Sequence, residues 1–397
     1  MEESGIIEII ELNGFYQMRV GIFSARKTQK QYAEKLAATL EQAGFDTTQF
    51  WYKSIPVVPG MIAWVRSRVE LPPSVISNYI RERRNRTPNT VLPLWKARLL
   101  ATLKSIEAKF LLFRYYQEFR TKQCDYLILW NGLKFRQEIA CAAAQALNIP
   151  CIYIERGALP GTTMFDPKGI NFINSVPRDP EFFRRYQPIS KASWPEQIKR
   201  DQQLPENFLF IPCQVNTDSQ IVRFSPWIRD MHRMIDALLE AENNLGKKMP
   251  NIIIKTHPAS SENYSQLINR LNNESKRIRL IKHGNTTHLI QHADAIATIN
   301  SSVGLEALQN RKKVIVMGEA FYNISGITIS AQNQRALEQA LLTYTDWEPE
   351  DLLLENFLSY LEHEYTVPGR WQDASDEHLM AILKRFKAII TTENRQP

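Results

Sequence analysis

Residues 126–157 read YLILWNGLKFRQEIACAAAQALNIPCIYIERG, and the order of side chains in this stretch decides the fold. Tyr126–Trp130 is an unbroken apolar run, the pattern of a strand buried on both faces, and Asn131-Gly132 closes it. Gln137–Leu147 is alanine-rich and helical in character, with Asn148 and Pro150 as its stop. Cys151–Ile154 is a second buried strand, running into Glu155-Arg156-Gly157. Strand, helix and strand in so short a span make a βαβ unit, the building block of a parallel sheet.

The same alternation extends in both directions. Upstream, a strand at Met18–Phe23 leads to a helix at Lys27–Gln42 (Tyr32, Leu36 and Leu40 on one face), stopped by Gly44, and to a strand at Phe45–Tyr52. Downstream, strands are predicted at Phe208–Ile211, Asn251–Lys255, Ile278–Ile281, Ala295–Ile299 and Val314–Met317. Helices at Ser225–Asn244, Asn263–Asn272, Thr287–His292 and Val303–Gln309 alternate with them. Asp166–Glu206 is rich in proline and poor in periodicity, which marks a boundary. The expectation is an α/β protein with two Rossmann-like domains facing a cleft. Residues 1–195 form the first, with a basic helical insertion at about 61–120, and residues 196–345 the second. A helical tail over 346–397 follows, and its last helix, His378–Ile390, is expected to return to the first domain. Ligands of such sheets sit at the carboxyl ends of the strands.

Composition narrows the class. With 44% hydrophobic and 23% charged residues, the 397-residue chain has the material for sizeable cores, which excludes a disordered or collagen-like protein. No apolar run approaches the roughly 18 residues of a membrane helix. Glu2, Glu3, Glu8 and Glu11 have the wrong sign for a presequence, so a cytosolic chain is expected. Cys124, Cys141, Cys151 and Cys213 show no metal-binding spacing and read as buried, reduced side chains. The net charge of +7 is concentrated. Between Met61 and Arg120, twelve Arg or Lys face four acids, among Trp64, Trp95, Phe110, Phe113, Tyr115 and Tyr116. That mixture fits an anionic membrane surface, and it equally fits a solvated helix whose aromatics pack inward. No nucleic-acid motif supports a nucleic-acid partner.

G-x-G-x-x-G, G-x-x-x-x-G-K-[ST] and G-x-S-x-G are all absent, which removes the main support for dinucleotide enzymes, P-loop NTPases and common serine hydrolases. His288 and His292 lie four apart without an H-E-x-x-H glutamate and read as a solvent-facing helix. Four strand-end motifs remain. Gln214-Val-Asn-Thr-Asp218-Ser-Gln220 offers a carboxylate flanked by amides, able to serve as nucleophile, base or sugar ligand, or simply to cap the next helix. Lys255-Thr-His257-Pro258 leaves a cation and an imidazole at a strand tip, suited to a phosphate leaving group. Asn300-Ser301-Ser302-Val-Gly304-Leu-Glu306 opens a helix with hydroxyls and free N–H groups, either an anion cradle or an ordinary serine cap. Glu155-Arg156-Gly157 presents a candidate base for an incoming hydroxyl.

In this order, Glu-x-Gly, Gln-x-x-x-Asp-Ser-Gln, His-Pro and Asn-Ser-Ser resemble the bacterial capsular polysaccharide biosynthesis/export family of the KpsS and KpsC type. Asp166-Pro-Lys-Gly169-Ile-Asn171 and the run from Val314 to Thr328 continue the likeness, which spans about Cys124 to Ser330. The length suits the single-module KpsS type. The resemblance implies a GT-B-like fold and a retaining transferase that takes Kdo from CMP-β-Kdo to a phosphatidylglycerol-type lipid or Kdo-lipid at the inner face of the cytoplasmic membrane. It further implies Asp218 as nucleophile, Gln214 holding the sugar, Glu155 as acid/base, and His257 with Ser301 and Ser302 on the CMP phosphate or the Kdo carboxylate. Lys255, Pro258, Asn300, Gly304 and Glu306 complete the expected donor site, and Asn131 and Arg156 are the acceptor-side candidates. Arg156 departs from the family, where an acid often follows the first glutamate. No metal or other cofactor is expected, and other capsule-assembly proteins are expected partners. Another CMP- or CDP-donor transferase of GT-B type and a non-catalytic export component remain as alternatives.

Overall fold

In a computed structural model the described residues are 17–55, 70–86, 92–199, 204–260 and 263–393. The first sheet contains β1 (Arg19–Ser24), β2 (Asp46–Trp51), β3 (Tyr126–Trp130), β4 (Cys151–Arg156) and β5 (Thr162–Asp166). The second contains β6 (Leu209–Pro212), β7 (Ile252–Lys255), β8 (Ile278–Ile281), β9 (Ala295–Thr298), β10 (Lys313–Val316) and β11 (Ile329–Ser330). A last strand, β12 (Val367–Pro368), rejoins the first sheet, giving the orders β12-β5-β4-β3-β1-β2 and β11-β10-β9-β6-β7-β8. All pairs are parallel except β4 with β5 and β5 with β12. The architecture is the expected α/β one of two Rossmann-like sheets.

Strand alternation builds the layers. Along β1 and β3, Val20, Ile22, Ile128 and Trp130 face one side, where Tyr32, Leu36 and Leu40 of the helix Lys27–Gln42 meet Leu379, Ile382 and Phe386 of the final helix, Asp376–Glu393. Phe23, Leu127 and Leu129 face the other, against the helices Leu94–Lys122 and Phe135–Gln145. The final helix therefore returns to the first sheet: Phe386 meets Phe45 and Tyr126 edge-on at 5.2 and 5.8 Å.

Several expectations change. The helix expected from Ser225 starts at Met231, because Pro226 interrupts the chain and Asp230 caps the new start by accepting from the Arg233 amide. A short helix, Ser219–Phe224, precedes it. In the basic region Phe113 and Tyr115 are buried whereas Trp95 and Phe110 are exposed, so the inward-packing reading holds for only part of the aromatic set. Trp64, Arg66 and Arg68 lie outside the described residues. All four cysteines are buried and free, as expected, and burial raises the Cys124 thiol to about 12. No helix among the described residues is long and apolar enough to cross a membrane.

His378 anchors the returning helix. Its Nδ1 lies 2.7 Å from the Pro368 carbonyl, which can only accept, so the network assigns the proton to Nδ1 and leaves Nε2 to accept from the Tyr32 hydroxyl at 3.0 Å. Burial lowers the pKa of this histidine, against smaller opposing effects of the Pro368 hydrogen bond and Asp373. The folded state thus binds fewer protons than the unfolded chain below the ordinary imidazole value of about 6.5, and stability falls as pH drops through that region. We predict a lower urea midpoint at about pH 5.5 than at about pH 7.5, and a flatter dependence in His378→Gln. The same slope in the variant would show that His378 is not responsible.

Candidate active site

The carboxyl ends of both sheets open on one cleft of about 550 Å³. Asn131, Glu155 and Arg156 line it from the first sheet, and Gln214, Asp218, His257, Ser301, Ser302 and Glu306 from the second. Motifs up to 175 positions apart in sequence terms, from Asn131 to Glu306, are thus collected at one place.

On the first wall, Glu155 stands half-buried one residue before the end of β4. Its Oε2 accepts from Asn131 Nδ2 at 2.8 Å and its Oε1 from the Arg156 amide at 2.9 Å. Asn131 adopts φ +62°, and its Oδ1 accepts from the Leu133 amide at 3.0 Å, which fixes the amide that holds Glu155. Asn131 is therefore a support for the carboxylate. Gly157 is required by close approach, since a Cβ there would lie 1.9 Å from Thr162 Oγ1.

On the second wall, Asp218 caps the helix Ser219–Phe224 through Oδ1, which accepts from the Gln220 amide at 2.9 Å. Capping and chemistry coexist, because Oδ2 has no hydrogen bond among the described residues and the side chain is exposed to the cleft. His257 Nδ1 accepts from the Ala259 amide at 3.1 Å, so neutral His257 carries its proton on Nε2, free to donate. Burial lowers its pKa, Asp218 opposes that shift and Lys255 reinforces it. Ser301 caps the helix Ser302–Gln309 by accepting from the Val303 amide at 3.2 Å. Ser302 is exposed, and its hydroxyl has no partner among the described residues. Burial raises the pKa of Glu306, with Arg156 across the cleft opposing the shift.

Gln214 reaches the cleft but is tied to Asn300, which with Lys255, Pro258 and Gly304 stands off the cleft lining. Gln214 and Asn300 bind each other reciprocally: Gln214 Nε2 donates to Asn300 Oδ1 at 3.0 Å, and the Asn300 amide donates to Gln214 Oε1 at 3.2 Å. Asn300 Nδ2 also donates to the carbonyls of Gln220, Phe224 and Glu319. These two amides hold loops together, which leaves Asn300 no free group for a ligand. Lys255 turns away to Thr286 Oγ1 at 2.8 Å, and neither it nor Pro258 lines the cleft. Gly304 serves packing, since a Cβ there would lie 2.5 Å from the Tyr322 hydroxyl.

Sequence reading missed the residues that hold the Asp218 loop from the first half. Asn85, buried at 8% exposure, donates to the carbonyls of Asn216 at 2.8 Å and Arg229 at 3.0 Å. Lys134 Nζ donates to the Thr217 carbonyl at 3.0 Å and pairs with Glu82 at 3.4 Å. Arg81 donates to the Val222 carbonyl at 2.7 Å, and Arg223 returns the bridge to Glu138 and to the Leu133 carbonyl. Lys134 follows a strand end and was detectable as a cation near the cleft. Asn85 sits inside a run of arginines and carries no such signal. We predict that Asn85→Ala, which leaves two carbonyls unmet at a buried position, costs about 1–3 kcal/mol in urea unfolding. An unchanged midpoint would refute the clamp.

Comparison with known proteins gives a consistent picture. Residues 198–369 match the family described as capsule polysaccharide biosynthesis protein. The chain is 29% identical over 295 residues to Protein FixF of Sinorhizobium fredii, covering 72% of this chain and 71% of the relative. It is 24% identical over 285 residues to the capsule polysaccharide export protein KpsS of Escherichia coli, covering 55% and 72%. Among solved structures, the β-Kdo 2,7 transferase of Thermosulfurimonas dismutans KpsC aligns with a TM-score of 0.46 and 12% identity, over 92% of this chain and 99% of that one. The β-Kdo 2,4 transferase of the same protein aligns with a TM-score of 0.42 and 16% identity, over 87% and 90%. At such TM-scores neither structural likeness bears on the site.

Proposed function

We propose that this chain, a KpsS/KpsC-like relative of the capsule polysaccharide biosynthesis proteins, is a retaining glycosyltransferase. It moves Kdo from CMP-β-Kdo to a phosphatidylglycerol-type lipid or Kdo-lipid acceptor, as a peripheral protein of the cytoplasmic membrane's inner face, alongside other capsule-assembly proteins. The observation that carries this reading is the convergence, across one cleft, of Glu155 held by Asn131 with Asp218, His257, Ser301 and Ser302.

The chemistry follows from which atoms are free. The unbonded Oδ2 of Asp218 attacks the anomeric carbon of Kdo, the bond from that carbon to the CMP oxygen breaks, and CMP leaves as a phosphate monoester. Nε2–H of His257, the Ser302 hydroxyl and the N-terminus of the helix Ser302–Gln309 supply donors for the leaving phosphate and the Kdo carboxylate. That donor set asks for no metal or other cofactor. In the second step Glu155 takes the proton of the acceptor hydroxyl as its oxygen attacks the same carbon and releases Asp218. Two inversions give net retention. Gln214 and Asn300 act by holding the Asp218 loop against the helix that starts at Ser301.

Two predictions test the reading. With CMP-Kdo generated in situ and a fluorescent phosphatidylglycerol acceptor, the wild-type protein is expected to form product and Asp218→Asn to form none, with an unchanged circular dichroism spectrum. Near-normal turnover in the folded variant would exclude Asp218 as nucleophile. By calorimetry, His257→Ala and Ser302→Ala are each expected to lose about 1.5–3 kcal/mol of CMP affinity, the worth of a hydrogen bond to a charged group. Unchanged affinity in both would place the phosphate elsewhere.

A further inference from the structure

The helix Leu94–Lys122 is apolar on two opposite faces. Ala108, Leu111, Leu112, Tyr115 and Phe119 are buried against the first sheet. On the opposite side Trp95, Leu99, Leu103, Ile106 and Phe110 are 63%, 53%, 56%, 63% and 44% exposed. Their spacing of four, four, three and four residues puts them in one stripe about four turns long. Isolated exposed leucines are ordinary, whereas five large apolar side chains in line on one helix face mark a contact surface.

The charges beside the stripe say what kind of contact. Lys96, Arg98 and Lys109 are exposed, and none pairs with a carboxylate among the described residues. Lys96 lies on one edge of the stripe by helical position, and Arg98 and Lys109 on the other. Between Leu94 and Phe110 the single acid, Glu107, is neutralised by Lys104 at 2.5 Å. An apolar centre with cations along both edges is complementary to a surface that is itself apolar inside and anionic at its rim. We propose that this face of the helix Leu94–Lys122 lies in the interface of an anionic lipid bilayer, with the stripe among the acyl chains and the cations at the phosphates.

This narrows the membrane contact expected of the whole basic region, Met61–Arg120, to one helix face; in the arginine run of that region Arg81 is engaged with the Val222 carbonyl and Arg86 with Glu82. It also changes the driving force, because an inserted stripe holds when salt has screened the cations. The proposal deepens the membrane part of the function above and rests on it for its biological sense, while its test reads binding alone.

The test is flotation of the full chain with vesicles of pure phosphatidylcholine and of an equimolar mixture with phosphatidylglycerol, at low and high salt. The wild type is expected to prefer the phosphatidylglycerol vesicles and to keep part of its binding at high salt. Leu99→Gln with Leu103→Gln is expected to weaken partition by tenfold or more, on the order of the loss of several buried methylene groups. Lys96→Gln, Arg98→Gln and Lys109→Gln are expected to weaken it by about fivefold each at low salt. Unchanged flotation of the leucine variant would overturn the proposal. So would a lower melting temperature or an altered sedimentation coefficient of that variant without lipid, since the stripe would then be covered by residues 56–69 or by a second copy of the chain. Turnover on a water-soluble acceptor separates the two readings. The leucine variant should match the wild type there, and a wild type that floats with vesicles but turns over no donor would sink the transferase assignment and leave the docking face standing.

Discussion

The reciprocal amide pair of Gln214 and Asn300 is the constraint on which the cleft depends. At the carboxyl ends of neighbouring strands the Gln214 side chain donates to Asn300 Oδ1 and accepts from the Asn300 main-chain N–H, and Asn300 Nδ2 then gathers three further carbonyls from around it. Both residues are nearly inaccessible to water, so each unmade hydrogen bond would carry the full cost of burying a polar group. The loop between β6 and the helix Ser219–Phe224 is thereby anchored at Gln214, and the helix itself through the Gln220 and Phe224 carbonyls. Asp218 inherits that anchorage while keeping one carboxylate oxygen free.

Much of this was legible because buried parallel strands announce themselves. The run from Tyr126 to Trp130 and the similar runs at Cys151, Leu209, Ile252 and Ala295 leave little choice of structure, and residues at their carboxyl ends gather where the two sheets open on one cleft. The motifs that resemble the capsule family suggested roles for them. What sequence could not supply was direction. Lys255 and His257 are two positions apart and would share a face if the strand ran on, but β7 ends at Lys255 and the turn into Pro258 sends His257 to the cleft while Lys255 goes to Thr286. The strands β11 and β12 have only two residues each, too few to show any period. The split of the long helix at Pro226 was readable in principle, and the amphipathic pattern beyond it overrode the proline in the reading.

The basic region shows the same limit in another form. Counting charges gave a surplus but not a surface, because arginines spread over one segment were assigned by the fold to different tasks. Arg81 reaches into the second half of the molecule and Arg114 donates to the Ile55 carbonyl, while the aromatic residues divide between a core and an exposed stripe.

The clamp formed by Asn85, Lys134 and the Arg223–Glu138 pair has a consequence for how such a chain can diversify. The loop bearing Asp218 belongs to the second sheet by sequence, yet its backbone carbonyls are held by side chains of the first. The two halves are therefore not interchangeable cassettes. A recombinant that exchanged the first half would inherit its own sheet and its own Glu155 but would leave the second half's loop without its donors, unless positions 81, 85, 134 and 138 travelled with it. Variation of the cleft is channelled instead into side chains that line it from the first wall without taking part in that clamp, such as Arg26 and Trp371.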